Sequence, residues 1–306
     1  MLQTAGMKTI PYKTAFVINP TAGDGKAGRI WSKIEDLLNQ AGQPYRAYFT
    51  RQAGEGTGLA ARASSEGAEL VVAVGGDGTL KEVAGGINLE QNLFGAIPAG
   101  TGNGFVRSCA IPLQWKKAFR GLARWQPRRI DVGRVNDQLF LNVVGTGLDA
   151  AVVKTAATKY RALKGYPAYA FAVVDQAATF SRFQCRVECN GLKFEDDQAL
   201  VALVANGRYY GGKLCIAPQA LPDDGQFDFC LLKKRSISGL LSLGARVAAQ
   251  KHLSSRDVIT MRGHTFILET DPPMLCHADG DLYEAPSVKV EIIPSALRIL
   301  APRPVQ

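Results

Sequence analysis

The sequence predicts an α/β Rossmann-like N-terminal domain followed by a mostly antiparallel, β-rich C-terminal domain of β-sandwich type. Up to about residue 130, short apolar runs alternate with segments of helical periodicity, which implies a parallel sheet covered by helices. Beyond that point short strands recur, separated by Asn-Asp and Asn-Gly turns of hairpin type. The length of 306 residues allows two ordinary domains. The boundaries are placed at 8–132 and 133–293, and the tail 294–306 is free to pair back on either domain.

Each element has its own reason. "KTAFVINP" is a buried strand ending in a turn. "AGRIWSKIEDLLNQAG" follows, with Ile30, Trp31, Ile34, Leu37 and Leu38 at helical spacing and Gly42 as its stop. "PYRAYFT" is a second strand and "GTGLAARASSEG" a second helix. "ELVVAVGG" is a third strand, "GTLKEVAGGI" opens a third helix, and "LFGAIPAG" is a fourth strand. In the second domain "RIDVGRVNDQLFLNVVGTG" contains a hairpin. A helical stretch covers about 152–180. "FQCRVECNGLKFE", "ALVALVAN", "FDFCLLKK", "HTFILET", "MLCHADGDLYE" and "SVKVEIIP" are strands, and "SISGLLSLGARVAAQKH" is an amphipathic helix.

A net charge of +9 fits three kinds of partner: nucleic acid, an anionic membrane, or a phosphate-rich small molecule. The basic residues form no single run. They gather locally at Arg124, Arg128 and Arg129, at Lys154, Lys159, Arg161 and Lys164, and from Lys233 to Arg235. Net charge alone favours nucleic acid, so no nucleic-acid partner is expected. No apolar run approaches the ~20 residues of a spanning helix, and the N-terminus lacks the apolar core of a signal peptide. The six cysteines include no C-x-x-C pair. Cys185 and Cys189 flank Val187 in a strand-like alternation and read as core thiols, while Cys276 and His277 point to opposite faces of one strand. The cysteine pattern suits a reducing compartment, so the expected location is cytoplasmic, with peripheral association at a membrane.

The chemistry-bearing signal is a set of loops at strand ends: "INPTAG" after the first strand, "VGGDGT" after the third and "IPAGTGNG" after the fourth. In a doubly wound sheet these ends share one edge, where ligands bind. Glycines there admit phosphate oxygens to backbone N–H groups, and the helix that starts after Thr79 adds a favourable dipole. Thr79 caps that helix or bonds a phosphate. Asp77 would be repelled by a triphosphate unless a cation lies between them, which points to a nucleotide phosphate with Mg²⁺. "GDGKAG" at 23–28 matches G-x-G-x-x-G, but the second strand ends "RAYFTR" with no acid for a ribose. Arg51 leaves open a 2′-phosphate reading. No Walker A pattern exists.

The ordered series "INPTAG", "GGDGTLKEV" and "IPAGTGNGFVR" resembles the diacylglycerol kinase catalytic domain family, which includes bacterial lipid kinases and sphingosine kinases. The likeness continues through "DVGRVNDQLFLNVVGTGLDAAVV", "LKGYPAYAFAVV", "VANGRYYGGKLCIAPQALPDDGQFDFCLL", "ADGD" and "EIIPSALRILAP". It implies a first domain that binds ATP, a β-rich lipid-binding domain, an active site in the cleft between them, and a tail that returns to the first domain. By resemblance Asn19, Pro20, Thr21, Ala22, Gly23, Thr50, Gly75, Gly76, Asp77, Gly78, Thr79, Leu80, Lys81 and Thr101 contact the nucleotide. Asp77 also acts through the catalytic Mg²⁺, and Asp281 falls where the family's Glu is the general base on the lipid hydroxyl; Asp281, or Asp77 itself, takes the hydroxyl proton. Asp149 matches an acid near the acceptor end of the lipid. Asp224 and the backbones of Leu221 and Gln226 match a second, structural Mg²⁺ site.

The sequence departs from the pattern at Lys81 and Gly85, which stand where asparagines are common, at Gly104 in place of a frequent aspartate, and at Asp281, one methylene shorter than Glu. The expected activity is transfer of the γ-phosphate of ATP to a lipid hydroxyl, giving phosphatidic acid if the acceptor is diacylglycerol. A sphingoid-base kinase, an NAD kinase-like enzyme and a catalytically inactive nucleotide- or lipid-binding regulator are the alternatives. The partners expected are ATP and a lipid at an anionic membrane surface, and a homodimer is compatible with the chain.

Overall fold

Five strands and the turns between them shape the N-terminal part of the chain, seen in a computed structural model that describes residues 8–163, 166–177, 179–211, 214–233 and 237–303. Lys164, Gly212, Lys234 and Arg235, which belong to motifs noted above, lie outside the described residues. The chain divides into two compact units, residues 1–130 with 295–306, and residues 131–294.

In unit 1, β1 (Thr14–Ile18) leads to α1 (Ala22–Gln40), β2 (Tyr45–Phe49) to α2 (Glu55–Ser65), β3 (Leu70–Gly75) to α3 (Asp77–Gly86), and β4 (Leu93–Pro98) to the short α4 (Gly104–Ser108) and α5 (Trp115–Gly121). The strands are parallel in the order β2-β1-β3-β4, and Ile299 of the last strand (Ser287–Leu300) adds parallel to β4 opposite Phe94. β1, β3 and β4 are buried along their whole length, as continuous apolar runs in a parallel sheet should be. The helical spacing read for α1 buries Ile30, Trp31, Ile34 and Leu38, and Trp31 packs on Phe16 with ring centroids 5.1 Å apart. Gly42 (φ 62°) closes α1: its N–H reaches Asn39 O and the Gln43 N–H reaches Leu38 O, the paired bonds of a left-handed helix terminus.

Unit 2 is antiparallel. β5 (Pro127–Val135) turns at Asn136-Asp137 into β6 (Gln138–Phe140), and β7 (Val143–Gly147) follows. Two helices, α6 (Leu148–Thr158) and α7 (Tyr166–Ala177), replace the single helical stretch expected over 152–180. Pro167 explains the break, because proline sits well in a helix's first turn and badly in its interior. β8 (Phe183–Cys189) and β9 (Leu192–Ala205) form a hairpin across Asn190-Gly191, both at positive φ. β9 pairs first with β8 and then, over Val201–Ala205, with both β7 and β12 (Phe227–Lys233). Between them lies the small hairpin β10 (Tyr209–Tyr210) and β11 (Leu214–Cys215). After α8 (Ile237–Ala248) come β13 (Val258–Gly263), β14 (Thr265–Asp271), β15 (Leu275–Ala278), β16 (Asp281–Glu284) and β17 (Ser287–Leu300).

The core of unit 2 lies on one face of these strands, where Phe140 stacks on Phe227 and Phe229 on Phe266. On the other face Leu243 and Val247 of α8 cluster with Leu203, Cys230 and Leu232. Each such fully buried side chain contributes about 1.5–3 kcal/mol. Cys185, Val187 and Cys189 join the first core, as the alternation predicts, and Cys276 joins it as well. Burial pushes the Cys185 and Cys230 thiols up to about 12 and Cys276 to about 11. They therefore stay neutral near pH 7 and pack as small apolar groups.

Candidate active site

Three glycine-rich turns meet at the carboxyl ends of β1, β3 and β4. The Asn19 N–H donates to Val74 O at 3.1 Å, its Nδ2 donates to Thr79 Oγ1 at 3.3 Å, and its Oδ1 accepts from the Thr21 N–H and hydroxyl at 3.2 and 2.9 Å. One side chain thus ties the first turn to the third strand's turn. Pro20 O accepts the Gly28 N–H at 3.2 Å. Gly23, Asp24 and Gly25 run in succession through the left-handed region, so the helix proper starts after them. A Cβ at Gly23 would lie 2.1 Å from Ala99 O, which presses this turn on the end of β4. Ala22 is half-buried beside it.

The second and third turns touch backbone to backbone. A Cβ at Gly100 would come within 2.4 Å of Gly76 Cα, and one at Gly75 within 2.5 Å of the Thr79 side chain. Gly78 differs: no heavy atom lies within 4 Å of where its Cβ would be. It sits in the first turn of α3, where the N–H groups of Asp77, Gly78 and Thr79 have no intrahelical partner and the helix dipole is positive. This turn is open to an incoming anion. We expect Gly100→Ala to lower stability by roughly 1–3 kcal/mol through backbone displacement. Gly78→Ala should instead hold or raise stability by up to about 1 kcal/mol while raising the KM for ATP at least about tenfold. Thermal unfolding and ATP kinetics on the two variants check both outcomes.

Helix α3 begins at Asp77, three residues earlier than a start after Thr79, with Gly76 as its N-cap. Thr79 is therefore buried in the first turn rather than capping it. Leu80 serves the core with its side chain, and its N–H bonds Gly76 O at 3.0 Å. Lys81 is half-buried on α3. Thr50 is buried at the end of β2, its N–H on Ile18 O at 2.9 Å, and Thr101 is exposed after β4. The Glu82 carboxylate accepts the N–H groups of Gly54 and Gly56 at 2.9 Å each, which fixes the start of α2 on α3. Asp77 is placed by α4, a helix absent from the sequence reading. Its Oδ2 and Oδ1 accept the N–H groups of Gly104 and Phe105, both at 3.1 Å. Asn103, left-handed at φ 56°, folds the preceding loop by bonding Gly100 through both ends of its amide. The carboxylate keeps lone pairs beyond those two bonds, and its hard oxygens suit a divalent cation held directly or through water.

Unit 2 carries the remaining candidates. Asp149, in the first turn of α6, accepts its neighbour Ala150's N–H at 2.7 Å, and its Oδ2 lies 3.0 Å from His277 Nε2. His277 is fully buried and stacks on Tyr210, whose hydroxyl is 3.0 Å from the same Nε2. The Gly280 N–H donates to Nδ1 at 3.4 Å, which leaves the proton on Nε2, directed to Asp149. Burial first, then the Asp149 charge, pushes the Tyr210 phenol well above its ordinary range, so it stays protonated. Gly145 makes room for this group: a Cβ there would sit 2.0 Å from Asp149 Oδ2. Neither His277 nor Tyr210 was legible as a site residue. Pairing of β15 with β7, His277 opposite Gly145, is what brings His277 to Asp149.

Asp281 opens β16 just past the turn residues Asp279 and Gly280, both at positive φ. The Asp279 carboxylate accepts three backbone N–H groups, from Leu141 at 2.6 Å, Asn142 at 3.1 Å and Val143 at 2.9 Å. The "ADGD" turn is thereby fixed to the β6–β7 connection, and Asp281 stands exposed at its edge. In the "PDDGQF" loop, Asp224 Oδ1 accepts the Gln226 N–H at 3.0 Å and Oδ2 pairs with Arg262, while Leu221 is exposed.

A parallel sheet with open glycine turns at its strand ends, joined to an antiparallel unit carrying buried and exposed acids, defines a phosphoryl-transfer protein of the two-unit kinase type. Family models narrow the class. The diacylglycerol kinase catalytic domain matches residues 13–135, and the YegS C-terminal NAD kinase beta sandwich-like domain matches residues 142–301. The chain belongs to the diacylglycerol kinase catalytic domain family of ATP-dependent lipid kinases. It is similar to the diacylglycerol kinase of Bacillus subtilis (strain 168), 26% identical over 272 residues that cover 88% of this chain and 89% of the relative. The diacylglycerol kinase of Staphylococcus carnosus (strain TM300) is also 26% identical, over 88% of each chain. A crystal structure of a diacylglycerol kinase from Bacillus anthracis str. Sterne shares the fold, with a TM-score of 0.72, 22% identity and coverage of 95% of this chain and 98% of that one. Among the described residues no helix is long and apolar enough to cross a membrane.

Proposed function

We propose that the chain transfers the γ-phosphate of ATP to the free hydroxyl of diacylglycerol, giving phosphatidic acid and ADP. The observation that carries this is the open first turn of α3, where Gly78 and Asp77 stand beside two further glycine turns, in a chain of this family. The turns after β1, β3 and β4 hold the phosphates by backbone N–H groups, with Asn19, Thr21 and Gly23 on one side and Gly76–Thr79 on the other. Asp77 would hold a Mg²⁺ ion, which would supply charge neutralisation at the phosphates. Asp281 takes the hydroxyl proton as the new P–O bond forms and the bond to the β-phosphate oxygen breaks. Asp149 orients the acceptor end of the lipid.

The Asp149 carboxylate accepts the Ala150 N–H and lies 3.0 Å from His277 Nε2, which fixes its orientation. Association with the lipid surface is supported by α7, which exposes Tyr169, Phe171, Val173 and Val174, near the exposed basic residues Lys154 and Arg161 in sequence. Apolar side chains beside cations suit an anionic interface.

Labelled ATP offered with a total lipid extract, and separately with NAD and with sphingosine, tests the reading. Thin-layer separation should place the label in phosphatidic acid. Label in NADP or a sphingoid phosphate instead, or no ATP turnover at all, would reject it.

A further inference from the structure

The loop that by resemblance should hold a second, structural Mg²⁺ contains its own cation. Arg262 of β13 is the cross-strand partner of Asp228 on β12. Its Nη2 is ion-paired with Asp224 Oδ2, and its Nε lies 3.5 Å from Asp228 Oδ1. One guanidinium therefore serves two carboxylates, a task its planar array of donors suits. The rest of the loop is tied up as well. The Gln226 N–H bonds Asp224 Oδ1 at 3.0 Å, the Gly225 N–H bonds Asp131 Oδ2 at 2.7 Å, and Gly225 O accepts from His264 Nδ1 at 2.7 Å.

A divalent ion could take Asp224 Oδ2 only by displacing Arg262. That would strip Asp228 of its cation. Asp228 is buried, and Arg262 is the cation it is paired with. Leaving two neighbouring carboxylates to share an ion held by one of them is the worse arrangement. The donor set of Leu221, Asp224 and Gln226 thus does not fit a second Mg²⁺ here.

We infer that Arg262 replaces the second divalent ion as the permanent cation of the 221–226 loop, so that unit 2 is held together without metal and Asp224 ligates none. This concerns the structural site alone and leaves the ion proposed at Asp77 untouched.

Thermal unfolding of the metal-stripped full chain, without nucleotide, is compared with and without about 10 mM Mg²⁺ at matched ionic strength. The wild-type midpoint should move by less than about 1 °C, or move equally in wild type and Asp224→Asn, since any ion bound is then elsewhere. Arg262→Gln should lose several degrees and recover about 3 °C or more with Mg²⁺ as the two carboxylates accept an ion in its place. A wild-type rise of about 3 °C or more that Asp224→Asn abolishes would overturn the inference. So would an Arg262→Gln chain as stable as wild type and indifferent to Mg²⁺. If Arg262→Gln does not fold, that loss supports the cation's role provided Arg262→Lys folds, and the comparison of wild type with Asp224→Asn still decides the metal question.

Discussion

Replacing Asp77 by Asn is expected to lower kcat by roughly 10²–10³-fold, the range seen when one charge-stabilising group of a transition state is removed. The substitution keeps the shape of the side chain and removes its charge. In the proposed reaction that charge anchors the ion facing the phosphates, and no other carboxylate is placed in the first turn of α3. A second, smaller effect follows from α4. The carboxylate accepts N–H groups from both Gly104 and Phe105, whereas an amide offers one acceptor and turns its NH₂ on the other donor. That mismatch should cost about 1–3 kcal/mol of stability, read as a lower thermal midpoint. The two effects separate by measurement, because saturating ATP-Mg²⁺ restores folding but not the missing charge. A variant with kcat within threefold of wild type would remove Asp77 from the chemistry and leave it as the residue that docks α4.

Asp281→Asn should lower kcat by about 10²–10⁴-fold, the usual contribution of a positioned general base. Stability should change by no more than about 0.5 kcal/mol, as for an ordinary exposed position. The reason lies next door: Asp279, with three backbone N–H groups on its carboxylate, holds the turn whatever stands at 281. The KM for ATP should stay within threefold. Asp281→Glu should retain activity within tenfold of wild type, since it restores the longer acid at the same turn. An Asn variant with wild-type kcat would move the base role to Asp77.

Local signals were readable because they depend on a few adjacent residues. Asn190-Gly191 and Asp279-Gly280 adopt the left-handed turns that such pairs favour, and the Cys185–Cys189 alternation places both thiols in the core. The glycines at 23 and 100 mark close backbone approaches that leave no room for a Cβ. What was not readable arises from pairing across long separations. His277 meets Asp149 at a separation of 128 residues through the register of β15 on β7, and it meets Tyr210 at a separation of 67. Arg262 reaches Asp224 across 38 residues by the same means. Helix α4 was missed for another reason: five residues are too few to show a helical period, and its start is fixed by Asp77 rather than by its own sequence.

The parallel sheet of unit 1 takes its last strand from residues that follow all of unit 2: Leu297, Ile299 and Leu300 are fully buried, and Ile299 lies beside Phe94. On the ribosome, all of unit 2 emerges before that strand exists. The nascent nucleotide unit must therefore wait with β4's outer edge uncovered, an edge that attracts foreign strands. Completion of the first unit therefore waits for the whole of unit 2, and a chain stopped before residue 295 carries every glycine turn of the phosphate site on an unfinished sheet.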